Sequence, residues 1–166
     1  LQSIAFENED KYNFGFDTVD AIAKAYPDKL AMLHIDRDHT ERRFTFADMR
    51  RASNQTVNYF KSLGIKRGDR VMLVLKRHYQ FWFCMLALHK IGAIAIPATN
   101  QLVEHDFSYR YKAAGVKAIV CTADGEVANE AEKAAAQFPG MRKILVGGKK
   151  EGWHDYNVEM ERFSTH

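Results

Sequence analysis

Apolar positions along the chain switch repeatedly between helical and extended spacing. Val19, Ile22, Ala23 and Tyr26 fall on one face of a helix. Pro27 stops it, because the residue before a proline is pushed out of the α region. Residues 30–35 then read as a strand, Asp36 to Thr40 as a polar turn and 42–45 as a second strand, together a β-hairpin. Thr45 followed by Asp48 resembles a capping box, with a short acid in the role usually given to Glu. The helix that starts there carries Phe46, Met49, Val57, Phe60 and Leu63 inward and ends at Gly64.

From residue 70 strand and helix alternate. Residues 70–75 read as a strand in which Val71 to Leu75 run apolar without alternation, the pattern of a strand buried on both faces of a parallel sheet. Residues 80–91 form a helix apolar nearly all round, hence a buried one. A strand over 94–97, an amphipathic helix over 104–114 closed by Gly115, and a strand over 118–121 follow. An alanine-rich helix over 126–138, stopped by Pro139 and Gly140, leads to a short strand over 143–146. This is the signature of βαβ units. The expected fold class is α/β: a mostly parallel sheet with helices on both faces, preceded by a helix and a β-hairpin. Residues 1–12 read as an extended lead-in and 13–146 as the α/β core. Residues 147–166 are polar, without clear periodicity, and read as the start of a next segment.

Composition narrows the classes. Among 166 residues, 46% are hydrophobic and 27% charged, which supplies a core and excludes disordered or collagenous chains. The net charge of +3 is small and interspersed, so no nucleic-acid partner is expected. Two cysteines, Cys84 and Cys121, are too few for a disulfide scaffold and suit a reducing compartment. No basic-then-apolar leader precedes Phe6, and the apolar run 81–88 is too short to span a bilayer. A cytoplasmic protein with no membrane partner is expected.

No complete catalytic constellation is present. There is no Gly-x-Gly-x-x-Gly and no Walker-type loop; Gly147-Gly148-Lys149-Lys150 lacks the upstream glycine and the trailing Ser or Thr. The seven histidines are scattered, so no metal site is expected, and neither cysteine has a pattern that lowers its pKa. His78 and His89 flank the apolar helix; a ligand or base is the alternative to the preferred reading as terminal polar residues, His89 lying in the last turn where a cation is favourable. Asp36, Asp38 and Asp69 sit at turns, where Asp bonds locally. Two stretches stand out. The loop Ile96-Pro97-Ala98-Thr99-Asn100-Gln101 leaves a buried strand, and α/β sheets bind ligands beyond the carboxyl ends of strands. Arg110, with Lys112, brings cations toward the same rim, and an Arg fork suits phosphate. An ordinary exposed helix residue is the alternative, since no glycine-rich cradle adjoins it.

Three segments carry a resemblance. Arg67-Gly68-Asp69-Arg70-Val71, then Ala87-Leu88-His89-Lys90-Ile91-Gly92-Ala93, then Ile96-Pro97-Ala98-Thr99 resemble the N-terminal region of AMP-forming acyl-CoA synthetases of the adenylate-forming superfamily. Thr45-Phe46-Ala47-Asp48-Met49 resembles the family's helix opening, and Asn54, Gln55, Asn58, Phe60 and Gly64 continue the pattern. The resemblance runs from about Asn13 to Val146, and Pro97-Ala98-Thr99-Asn100-Gln101 is most similar to acetyl- and medium-chain members. It implies two half-reactions that use ATP, Mg²⁺ and CoA: a carboxylate becomes acyl-AMP, then acyl-CoA. Gln101 matches a position that contacts CoA in medium-chain members, and Arg110 an Arg that meets the CoA nucleotide in acetyl-CoA synthetases; Thr99 is their neighbour. The family's phosphate loop, aromatic-Thr-Glu motif, ribose-binding Asp, hinge and catalytic Lys are not in this sequence. The resemblance therefore implies a fragment, inactive alone, able to self-associate through uncovered apolar surface. A non-catalytic module binding CoA, a nucleotide or a protein is the alternative. A stand-alone flavodoxin-like domain is disfavoured by the absence of a glycine-rich phosphate site.

Overall fold

The computed structural model describes residues 9–166. The chain forms two compact units that meet between Arg50 and Arg51.

In the first unit, Glu9–Lys11 make one 3₁₀ turn where an extended lead-in was expected; residues 1–8 of that lead-in lie outside the described residues. The Asn13 carboxamide accepts hydrogen bonds from the N–H groups of Gly15 (3.0 Å) and Phe16 (3.3 Å) and so caps a wide π-helical segment, Phe14–Asp20. It runs into α1, Ala21–Ala25. Tyr26, expected on the inward face, is 65% exposed; Pro27 has forced it out of the helix, to φ −139°. Strands β1 (Leu30–Ile35) and β2 (Glu41–Thr45) pair antiparallel. Their turn is held locally: Asp38 accepts from the Thr40 N–H at 3.1 Å, and Asp36 pairs with Arg42. The capping box forms. The Asp48 carboxylate accepts from the Thr45 N–H and Oγ1, both at 2.8 Å, while Thr45 Oγ1 accepts from the Asp48 N–H at 3.2 Å. Helix α2, Phe46–Ser62, begins there.

The second unit is the α/β layer. Strands β3 (Arg70–Val74), β4 (Ile94–Pro97), β5 (Val116–Thr122), β6 (Arg142–Val146) and β7 (His154–Asp155) form one sheet. The order is β4-β3-β5-β6-β7 and every pairing is parallel. Connecting them are α3 (Gln80–Ile91), α4 (Glu104–Ala114), α5 (Val127–Ala135) and, after β7, α6 (Tyr156–Met160).

The unbroken apolar strands explain the layering. Successive side chains point to opposite faces. Val71, Leu73, Ala118, Val120, Ile144 and Val146 join one core with Phe60, Cys84 and Leu88. Met72, Val74, Ile119, Cys121 and Leu145 join the other with Phe107, Tyr111 and Ala131. Helix α3 thus covers the first face, and α4 and α5 the second.

Two expectations are corrected. Helix α3 is not apolar-buried all round: Trp82 is 52% exposed. Residues 147–166 are not featureless. They add β7 and α6, Tyr156 is fully buried, and Met160 and Phe163 pack on the first core. Tyr156, Met160 and Phe163 stand at i, i+4 and i+7, one helical stripe in an otherwise polar run.

Candidate functional site

Because the sheet is parallel, the loops after β4, β3, β5 and β6 all emerge at one edge. The loop after β3 enters α3 on the first face, and the loop after β5 enters α5 on the second. Chains that leave neighbouring strands toward opposite faces open a crevice between their carboxyl ends, where α/β sheets bind ligands.

His78 occupies that position. The turn after β3 passes through Lys76 at φ +48°, a left-handed conformation that costs a non-glycine residue strain, and closes with the His78 N–H donated to the Leu75 carbonyl at 2.9 Å. His78 Nε2 lies 2.7 Å from Thr122 Oγ1 and 3.4 Å from an Asp124 carboxylate oxygen. Thr122 is fully buried and also accepts from the Asp124 N–H at 3.0 Å. The loop after β6 approaches the same spot. A Cβ on Gly147 would stand 3.3 Å from His78 Cε1, and one on Gly148 2.7 Å from Ala123 Cβ. The Gly147 N–H donates to Asn157 Oδ1 at 3.2 Å. The result is an imidazole held in one orientation by a hydroxyl and a carboxylate over a glycine pair. Sequence spacing alone does not bring His78 to Thr122 and Asp124, since only the strand order makes β3 and β5 neighbours.

The rim residues singled out from sequence lie one strand over. The Ala98 N–H donates to the Leu73 carbonyl at 2.9 Å, which carries the strand pairing into the loop. Thr99 Oγ1 accepts from the Gln101 N–H at 3.3 Å, and both residues are exposed. Arg110 lies on α4. Its Nη1 donates to the Asp106 carbonyl at 3.1 Å and stands 3.6 Å from the Asp106 carboxylate. That leaves Nη2 and Nε for a ligand. The structure joins Thr99 to Gln101; among the described residues no hydrogen bond joins Arg110 to either.

These groups fit an anionic ligand with amide functions, since they offer one guanidinium and one free carboxamide. They do not fit the triphosphate of a nucleotide. No glycine-rich helix entry is present, and among the described residues no three His, Cys, Asp or Glu side chains converge as a metal site. The thiols are no nucleophiles. Both are buried, and burial pushes Cys84 and Cys121 up to about 12. Among the described residues no helix is long and apolar enough to cross a membrane.

A family model described as AMP-binding enzyme matches residues 19–161. Acyl-coenzyme A synthetase ACSM2A, mitochondrial, of Homo sapiens is 32% identical over 93% of this chain and 28% of its own length. The crotonobetaine/carnitine–CoA ligase of Salmonella paratyphi A is 36% identical over 63% of this chain and 20% of its own. Among solved structures, an acyl-CoA synthetase of Brucella canis superposes over 98% of this chain and 30% of its own, with a TM-score of 0.80 at 24% identity. A benzoate CoA ligase of Burkholderia xenovorans LB400 does so over 93% of this chain and 29% of its own, at 0.76 and 15%. The two structures share the fold. The chain spans about a quarter of the length of the curated relatives it matches.

Proposed function

The chain belongs to the AMP-binding enzyme family, and we propose that it forms part of an AMP-forming acyl-CoA synthetase acting on a short- or medium-chain carboxylate. The observation that carries this reading is the Pro97–Gln101 loop at the carboxyl end of β4, in a chain whose family match runs over 19–161.

In that reaction a carboxylate oxygen attacks the α-phosphorus of ATP. The new O–P bond gives acyl-AMP, and the bond to the β-phosphate breaks to release pyrophosphate. The CoA sulfur then attacks the acyl carbon and AMP leaves. ATP supplies a good leaving group to an otherwise unreactive carboxylate, and Mg²⁺ offsets phosphate charge. No residue of this chain is assigned to either; both belong to parts of the enzyme that these residues do not supply. The 166 residues alone are therefore inactive in this reading.

This chain's own contribution is a CoA-facing rim. Arg110 offers Nη2 and Nε to a CoA phosphate, Asp106 having fixed Nη1. Gln101 presents its carboxamide, and Thr99 orients it by accepting its backbone N–H. A charge-assisted hydrogen bond contributes about 1.5–3 kcal/mol, roughly ten- to a hundredfold in affinity. Calorimetric titration of CoA into the 166-residue protein should show binding that Arg110→Ala weakens at least tenfold. Micromolar binding left untouched by that change would remove Arg110 from the rim.

The reading keeps a small-molecule carboxylate, ATP and CoA as partners, with neither nucleic acid nor membrane. It places the protein in a reducing compartment, the cytoplasm, on the strength of two free buried thiols. Self-association is also proposed. Phe14, Phe16, Tyr26, Leu30, Leu33 and Ile35 are exposed in the first unit. Sedimentation velocity should show mass rising with concentration; a monomer throughout would refute it.

A further inference from the structure

Helix α3 starts at the carboxyl edge of the sheet without the residues that usually close a helix start. Tyr79 stands at the cap position and gives no side-chain cap, and no acid stands in the first turn. The N–H groups of Phe81 and Trp82 are spent on the His78 and Tyr79 carbonyls, both at 3.1 Å. The Gln80 N–H has no acceptor among the described residues, and free N–H groups at a helix start point outward along its axis. The Gln80 side chain has a second unmet demand. The residue is only 5% exposed, yet its Oε1 is buried without a hydrogen-bond partner. Native proteins keep few such groups. Gln80 shares the inward stripe of α3 with Phe83, Cys84 and Ala87, which follow it at three, four and seven positions. Helical side chains lean toward the helix start. The carboxamide is therefore aimed along the first face of the sheet, at its carboxyl edge. Its two ends exchange by a half-turn of the last torsion, so the buried atom can accept or donate.

The strand ends bring His78 to the same corner. Ala118 and Val120 join the first core and Ile119 and Cys121 the second, so Thr122 continues on the first face. It holds His78 there, and both His78 contacts, to Thr122 and to Asp124, are made by Nε2. Nδ1, across the ring, has no partner among the described residues. Gly147, having no side chain, leaves the space beside Cε1 open.

We propose that the start of α3, with Gln80 and His78, binds a small oxyanion, a phosphoryl or carboxylate group, at the first-face corner of the crevice between β3 and β5. The Gln80 N–H, the Gln80 carboxamide and His78 Nδ1–H donate to its oxygens, and the aligned peptide dipoles of α3 add positive potential. Thr122 and Asp124 do not touch the ligand. By taking Nε2 they aim Nδ1 at it, and Asp124 offsets the charge of the imidazolium from the far side of the ring. The site is distinct from the rim of Thr99, Gln101 and Arg110, because that rim follows β4, on the other side of β3. It stands whether or not that rim binds CoA.

The test titrates the 166-residue protein with sodium phosphate and, separately, with sodium acetate. Sodium chloride holds the ionic strength constant, and amide and histidine-ring NMR signals are followed. Saturable shifts should appear at the Gln80 N–H and the His78 ring. His78→Ala and Gln80→Leu should each weaken binding about tenfold, the loss of one hydrogen bond to a charged group. Lys117→Ala removes an exposed cation at the opposite edge, near the start of β5, and should leave binding unchanged. Gln80→Leu has a second readout. Replacing an unpartnered buried amide by a similar apolar shape should raise the urea midpoint of the ligand-free protein, and the oxyanion should then add nothing to it. Saturation by phosphate alone assigns a phosphoryl group, by acetate alone a carboxylate, and by both a site for either. Shifts that stay linear to tens of millimolar with both anions would overturn the site. So would saturable shifts that persist in both variants, or a Gln80→Leu midpoint below that of the unaltered protein, which would show the amide to be satisfied already.

Discussion

Thr45 and Asp48 exchange three hydrogen bonds across the entry of α2. Asp48 does this with one methylene fewer than the usual Glu, because the box closes on the Thr45 hydroxyl as well as on its N–H. Its loss frees two donors at the helix start, and a lost cap costs about 1 kcal/mol. Asp48→Ala should lower stability by about that amount in urea denaturation, with an unchanged dependence on denaturant; no loss would show the box to be idle. At this scale the sequence was legible wherever a bond stays within a few residues. Asp38 with Thr40, and Asp69 accepting from the Lys66 N–H at 2.9 Å, are the local turn bonds that their positions imply. His78 was noticed at the start of the apolar helix, but its surroundings were not legible. Its partners are more than forty residues away and are brought in by the sheet.

Elements were legible to the extent that one residue type decided them. The strand at residue 70 was clear because no polar residue interrupts it, and α3, β4 and α4 because Gly92, Pro97 and Gly115 punctuate them. Helix α2 was only half readable. Its apolar stripe showed, but Ser53 and Thr56 are both fully buried, and a periodicity of apolar residues cannot flag them. They are admitted because each hydroxyl has a partner. Lys90 Nζ donates to Ser53 Oγ at 2.9 Å, and Thr56 bonds Ala52 and Tyr156. Asn54, Gln55 and Asn58 were noticed only as part of a resemblance. Their work, donating to the backbone carbonyls of residues 163–166, depends on a segment that carries only four apolar residues, Tyr156, Val158, Met160 and Phe163.

At the scale of the molecule, the parallel sheet and the family match over residues 19–161 coincide. The parallel sheet places the loop after β4 and the crevice between β3 and β5 on one edge. The sole phosphate-loop likeness, Gly147 to Lys150, is committed elsewhere. Gly147 spends its N–H on Asn157, Gly148 is pressed against Ala123, and Lys150 Nζ donates to Asn129 at 2.7 Å. Adenylation draws its catalysis from groups that meet the phosphates as charge develops, and the proposed reading assigns no residue of this chain to that role. The 166-residue protein should therefore give no ATP–pyrophosphate exchange above a blank with acetate, butyrate or octanoate. Exchange needs no CoA, so this assay is independent of the CoA titration. Binding without exchange would place the thioester half of the chemistry on this chain and the adenylating half on other residues. Exchange above the blank would mean that the crevice beside His78 does more than the absence of a phosphate cradle allows, and His78→Ala would be the first variant to separate that activity from a contaminant.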